Sequence, residues 1–208
     1  SSSTGTARLF RTTQSNARPD TTMPGWVAAS SGLFAGSVSA IAPDRTDSNL
    51  CFAATSTSRV TPHVMKTTDG GKHWKTIAGN LPNTPVSALV IDTLAEGGDP
   101  LLRDRVLFAG TDVGVFATTD GGTTWAQLGT GLPRAVINDL KIYKNMLIAA
   151  THGRSLWIAD DITPLEQMAS TTGTTVKFFE PRPAVQWKTD LTATRRATAR
   201  QFKGENPP

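Results

Sequence analysis

The chain has one cysteine, one tyrosine, three histidines and only four glutamates in 208 residues. A lone Cys51 excludes an internal disulfide framework and a CxxC zinc site, and three scattered histidines offer no metal-ligating spacing. No run approaches the ~18 apolar residues that a membrane-spanning helix needs, which excludes one. Scarce Glu removes a strong helix former, while 31 Thr and 18 Gly favour pleated strands and turns. Apolar content of 38% suits one globular core, and the length leaves one domain, or one plus a tail. The composition is that of an all-β chain.

Basic residues exceed acidic ones, for a net charge of +4, but the excess is local. Residues 177–208 hold seven Lys/Arg (Lys177, Arg182, Lys188, Arg195, Arg196, Arg200, Lys203) against three acids (Glu180, Asp190, Glu205), and the remaining residues balance at 14 against 14. A basic groove across the body is therefore not indicated. The tail reads as a solvated basic linker, with no nucleic-acid partner expected.

What is present is a repeat. Thr67-Thr68-Asp69-Gly70-Gly71-Lys72-His73-Trp74 recurs as Thr118-Thr119-Asp120-Gly121-Gly122-Thr123-Thr124-Trp125, 51 residues later. Seven residues after each Trp comes a Leu (Leu81, Leu132), and five further on an apolar residue opens a strand-like run, Val86-Ser87-Ala88-Leu89 or Ile137-Asn138-Asp139-Leu140. The same ruler laid from Trp26 lands on Leu33 and then Val38-Ser39-Ala40-Ile41, a degenerate third copy. A period in this range signals a repeat architecture.

Between the anchors, short strand runs alternate with turn signals, which is the pattern of antiparallel β repeats and not of βαβ units. One unit reads as four strands, 86–92, 106–111, 115–119 and 124–128, with a long polar excursion at 93–105. The preceding unit runs from 38 to 78, with middle strands at 50–55 and 62–67; the chain opens with two strands near 8–13 and 25–30 and closes with three at 137–142, 146–151 and 155–159. Four strands per repeat make a propeller blade. The expected fold is an all-β partial propeller of about three four-stranded blades over residues 1–162, followed at 163–208 by an extended Pro- and Thr-rich linker leading toward a further domain. Such an arc is too short to close on itself, so the remainder of a longer chain, or other copies of this one, are its expected partners.

Within each motif, Asp-Gly is a strong hairpin signal because Gly accepts the positive φ of a tight turn. The Asp carboxylate (Asp69, Asp120) accepts bonds from backbone N–H groups of its own turn, and the Trp (Trp74, Trp125) folds over the hairpin to be buried between blades. Thr67, Gly71, Thr118 and Gly122 complete this structural role. A Ca²⁺ loop needs several carboxylates at alternating positions and a late Glu; one Asp and no Glu per motif does not supply it, and no metal or other cofactor is expected.

Thr-x-Asp-x-Gly-x-x-Trp resembles the Asp-box, or bacterial neuraminidase repeat (BNR), of sialidases, xyloglucan-degrading hydrolases, sortilin-type receptors and photosystem assembly factors. His73 departs from the usual Thr before the Trp, and the copy from Arg11 to Trp26 has lost the Asp-Gly-Gly core. The stretch Ala150-Thr151-His152-Gly153-Arg154-Ser155-Leu156-Trp157-Ile158-Ala159-Asp160-Asp161-Ile162-Thr163-Pro164-Leu165 resembles the last blade of large secreted bacterial proteins known as BNR-repeat glycosyl hydrolases or sortilin-like proteins. Phe178-Phe179-Glu180-Pro181-Arg182-Pro183 and Phe202-Lys203-Gly204-Glu205-Asn206-Pro207-Pro208 resemble the linker that follows. The resemblance implies a secreted, extracellular or periplasmic protein.

Chemistry is sparse. A sialidase needs a Tyr nucleophile with a Glu partner, and Tyr143 has no Glu near it in sequence, which disfavours that reading. Asp112, Asp139, Asp160 and Asp161 are carboxylates available to a two-carboxylate glycosidase, against the simpler roles of turn capping and solvation. His152 and Arg154, at a hairpin after an apolar strand, are candidate ligand contacts, Arg154 for its planar fork of donors. Cys51, in an apolar run, reads as a small buried hydrophobe, and Trp157 as core. No catalytic residue is assigned. The sequence is best read as a binding module that contacts polypeptide or glycan; the alternative is part of a glycoside hydrolase whose catalytic carboxylates lie mostly elsewhere.

Overall fold

The computed structural model describes residues 8–12, 25–57, 63–92, 104–129, 131–132, 134–170 and 178–181. Strands occur where turn signals bound Val-, Ala- and Thr-rich runs: β1 (Phe10–Arg11), β2 (Val27–Ala28), β3 (Val38–Pro43), β4 (Cys51–Thr55), β5 (Val64–Thr67), β6 (Lys75–Thr76), β7 (Val86–Ile91), β8 (Leu107–Thr111), β9 (Gly114–Thr118), β10 (Ala126–Gln127), β11 (Ile137–Tyr143), β12 (Met146–Thr151) and β13 (Leu156–Ala159). They form four sheets, in the orders β1-β2, β3-β4-β5-β6, β10-β9-β8-β7 and β11-β12-β13. Every pairing is antiparallel between sequence neighbours. The chain is a partial β-propeller.

Packing explains why these strands read as continuous apolar runs. Phe52 and Ala54 of β4 enter one core with Val86, Leu107, Ala109, Phe116 and Trp125, while the intervening Ala53 enters another with Leu33, Phe34, Met65 and Trp74. Alternation also sends Phe108, Val115 and Ala117 to a third core with Ile137, Leu140, Leu147 and Ala149. Each interior sheet is thus apolar on both faces, and the cores lie between sheets. Phe52 and Phe108 are fully buried, each worth up to about 3 kcal/mol of hydrophobic stabilisation. Of the first strands, β7 packs against both β3 and β11, which makes these three the inner strands of the arc.

Two sequence readings change. The segment read as extended from Thr163 opens with a helix, α1 (Thr163–Ala169). Pro164 fits its first turn, Asp161 Oδ1 accepts the Thr163 N–H at 3.0 Å, and Ile162 and Ala169 are buried with the third core, so apolar burial of one face secures a helix too short to stand alone. Trp157 is not core: it is 38% exposed, between Leu156 at 67% and Ile158 at 56%. Among the described residues β13 pairs only with β12, so it lacks the neighbour that buries the corresponding strands β5 and β9. The chain divides into units 1–174 and 175–208; in the second, Phe178–Pro181 is exposed and carries neither helix nor strand. The excursion read at 93–105 and the rest of the linker lie mostly outside the described residues.

Candidate functional site

The two repeated motifs build the same turn. Thr67 Oγ1 donates to Asp69 Oδ1 at 2.9 Å and accepts the Gly71 N–H at 2.8 Å; Thr118 Oγ1 does the same with Asp120 Oδ1 and the Gly122 N–H at 2.8 and 2.9 Å. Asp69 Oδ1 then accepts the His73 N–H at 3.0 Å, and Asp120 Oδ1 the Thr124 N–H at 2.9 Å. The second carboxylate oxygen meets the His73 ring Nδ1 at 2.7 Å in one motif and the Thr124 hydroxyl at 2.6 Å in the other. His73 therefore replaces Thr by delivering a ring nitrogen to the same oxygen, and the turn survives the departure. These bonds favour the ionised form. The His73 backbone N–H, followed by its ring, holds the Asp69 carboxyl well below the usual carboxylate range. At Asp120 partial burial pushes the carboxyl up, but the combined bonds from Thr124, Thr118 and Thr123 leave it below its ordinary value.

Each turn also latches one sheet to the preceding one. The Trp74 indole N–H donates to Ala29 O at 2.8 Å and that of Trp125 to Ile77 O at 2.9 Å; both acceptors lie three residues after the preceding Trp, so the latch has the register of the repeat. Close approach makes Gly71 and Gly122 obligatory. A Cβ on Gly71 would fall 2.5 Å from Ala29 Cβ and one on Gly122 2.5 Å from Ile77 O, at φ of +87° and +91°. Trp26 is the exception: among the described residues its buried indole nitrogen has no hydrogen-bond partner.

The opposite ends of the sheets carry a feature that the sequence reading missed. Each inner strand bulges at its second residue. Pairing passes from Val38 to Ala40, from Val86 to Ala88 and from Ile137 to Asp139 while the partner strand advances by one residue, which leaves Ser39, Ser87 and Asn138 as the inserted residues. Bulges re-aim side chains and concentrate near functional sites. Ser39 Oγ donates to Val86 O at 2.5 Å, tying one bulge to the next inner strand, and Asn138 and Asp139 are exposed. The available signal was a polar residue in second place in all three repeated runs; periodicity alone did not say that it left the ladder.

The β12–β13 hairpin lies at this same end, because Ile137 faces Thr151 and the His152 N–H donates to Val136 O at 2.8 Å. Thr151 Oγ1 donates to Ser155 O at 2.6 Å, and the Trp157 indole to Arg154 O at 2.8 Å, so the hairpin backbone is pinned while the His152 and Arg154 side chains stay exposed. Asp112 occupies the equivalent β8–β9 turn, exposed. Asp160 and Asp161 follow β13 at the other end, where the Ile162 N–H reaches Asn145 O in the β11–β12 turn. The four carboxylates therefore divide between the two ends: Asp112 and Asp139 share the bulged end with His152 and Arg154. Tyr143 is exposed at the end of β11, with the Lys144 ammonium 5.9 Å from its ring centroid. Cys51 is half-buried, and burial pushes its thiol up to about 11.

Among the described residues no group of three or more His, Cys, Asp or Glu is placed to hold a metal ion, and no helix is long and apolar enough to cross a membrane. No protein-family model matches the chain, and no curated protein matches it. Among solved structures it is similar to the crystal structure of an ancestral GH74 enzyme, at 24% identity and a TM-score of 0.43, over 56% of this chain and 14% of that one. A likeness at that level says nothing of activity. The assignment as a partial propeller rests on the sheets, their order and the cores between them.

Proposed function

We propose that this chain is the recognition part of a larger, secreted, sortilin-like Asp-box propeller, and that it contacts polypeptide or glycan at its bulged end. The supporting observation is the row of bulges, which sets Ser39, Ser87 and Asn138 at one level on three adjacent inner strands. Asp112, Asp139, His152 and Arg154 add both signs of charge at that end, which suits polar recognition, and β7, packed between β3 and β11, anchors the row on a rigid base. The Trp26 N–H, without a partner among the described residues, supports a longer ring, since in the other two copies the corresponding N–H finds a carbonyl of the preceding sheet.

Screening immobilised β-glucan oligosaccharides and a random peptide library, followed by calorimetry of the hits, tests this reading. Asn138→Ala and Arg154→Ala should each weaken a genuine ligand about tenfold, as expected for losing one or two hydrogen bonds, while Lys75→Ala at the opposite end should not. Binding unaffected by both bulged-end variants would refute it. The hydrolase reading is supported by Asp139 beside the third bulge and by the half-exposed Trp157 ring; it requires reducing ends to be released from a polysaccharide and that release to vanish in Asp139→Asn.

A further inference from the structure

We propose that the pocket between the β1–β2 pair and the Asp69 turn is an oxyanion-binding site built by Arg11 and Lys72, independent of the bulged end. The pocket measures about 190 Å³ and is lined by Arg11, Gly25, Val27, Ala28, Gly70 and Lys72. Among the described residues its lining supplies two cations and no carboxylate.

Comparison of the two latched interfaces is what singles it out. Arg11 faces Val27, the residue after Trp26, and Lys66 faces Lys75, the residue after Trp74, so Arg11 and Lys66 occupy one position of the repeat. At the second interface Lys66 is closed off by an ion pair with Asp104. At the first, among the described residues, Arg11 Nη1 meets only the neutral Asn49 Oδ1, at 3.3 Å, which uses one of five guanidinium donors. Lys72 adds a second, exposed cation where the other motif has Thr123. Of the acids in the neighbouring turns, Asp69 bonds to Thr67 and His73 and Asp47 accepts the Asn49 N–H; among the described residues neither is ion-paired with Arg11 or Lys72. Two like charges lining one cavity repel, and an anion placed between them relieves that repulsion.

The shape fits the same ligand. The guanidinium lies against Gly70, where an added Cβ would fall 1.5 Å from Nη1, so glycine makes room for the guanidinium at the pocket wall. The Gly70 and Gly71 N–H groups are engaged by Asn49 O and Thr67 Oγ1, which leaves recognition to the Arg11 fork and the Lys72 ammonium, with Val27 and Ala28 as an apolar wall. A planar fork suits a carboxylate or the oxygens of a sulfate, and the volume admits such a group on a small polar carrier. The ligand class is therefore an oxyanion, carried as the carboxylate of an acidic sugar or as sulfate.

Amide NMR titration of the full 208-residue chain at constant ionic strength tests the assignment, with sodium glucuronate, sodium sulfate and glucose as separate probes. Saturable shifts at Gly70, Gly71 and Lys72 with glucuronate or sulfate, and none with glucose, are expected; whichever anion binds more tightly identifies the source. Lys72→Gln, at an exposed side chain that leaves the fold intact, and Arg11→Gln should each weaken binding about tenfold, and Lys75→Gln should leave it unchanged. Arg11→Lys, which keeps the charge and loses the fork, should weaken glucuronate more than sulfate. Shifts that fail to saturate, or an affinity unchanged in Lys72→Gln and Arg11→Lys, would overturn the proposal.

Discussion

Gly122→Ala, compared with Gly129→Ala, measures how tightly one sheet is latched to the next. Both glycines have positive φ, +91° and +71°, but a Cβ on Gly129 meets nothing within 4 Å, whereas on Gly122 it would fall 2.5 Å from Ile77 O and 2.7 Å from Ile77 Cβ. The shared backbone strain costs about 1–2 kcal/mol. Overpacking against backbone that cannot retreat adds about 1–3 kcal/mol at Gly122 alone, and any retreat also lengthens the Trp125 Nε1 to Ile77 O bond of 2.9 Å. Gly129→Ala should therefore lose about 1–2 kcal/mol and Gly122→Ala about 2–5 kcal/mol. Urea unfolding followed by Trp fluorescence gives both values from the midpoints at constant m. Equal losses would refute the latch, because strain at the turn would then account for the whole effect.

Trp125→Phe deletes the indole donor and leaves the Ile77 carbonyl without it, so a loss of about 2 kcal/mol is expected; Trp74→Phe should cost a similar amount through Ala29, and thermal melts that do not move would count against both bonds. The bonds that hold Asp69 below the usual carboxylate range fix a sign for acid. Because the folded value is depressed, the stabilisation is complete above the unfolded value of about 3.9 and drains as pH falls below it. Asp69→Asn should thus be less stable than the parent at pH 7 and converge with it toward pH 2, and a gap that widens on acidification would contradict this. Cys51, with its thiol raised to about 11 by burial, should react slowly with a disulfide reagent at pH 8 and quickly in urea; fast labelling of the folded chain would refute that assignment. Light scattering should find oligomers, since β13 presents Leu156 and Ile158 on an edge paired on one side only among the described residues. Ile158→Lys should reduce them, and a parent chain that stays monomeric would refute that role for the edge.

Much of the fold was legible because it is written locally. Asp-Gly pairs and the fixed distance from each Trp to the next strand specify turns and register without any long-range contact, and they placed the strands, grouped as two, four, four and three. The long apolar run at 50–54 was readable as a strand for the same reason, since a strand buried on both faces needs no alternation. Helix α1 was not legible. Seven residues cannot form a helix from their own propensity, and Ile162, Leu165 and Ala169 do so because the third core is there to receive them.

The candidate sites divide along the same line. The sequence by itself determined the repeat, the Asp-Gly turns and the pairing of each Asp with its own turn, because those bonds span no more than four residues. Only tertiary structure decided that the second residue of each inner strand leaves the ladder, that Gly71 and Gly122 abut the preceding sheet, and that Arg11 lacks the acid which Lys66 finds in Asp104. The bulges depend on strand pairings 11 to 25 residues apart and the other two features on atoms 38 to 48 residues apart, and contacts of such span have no local signature: they exist only once the strands have paired and the sheets have packed.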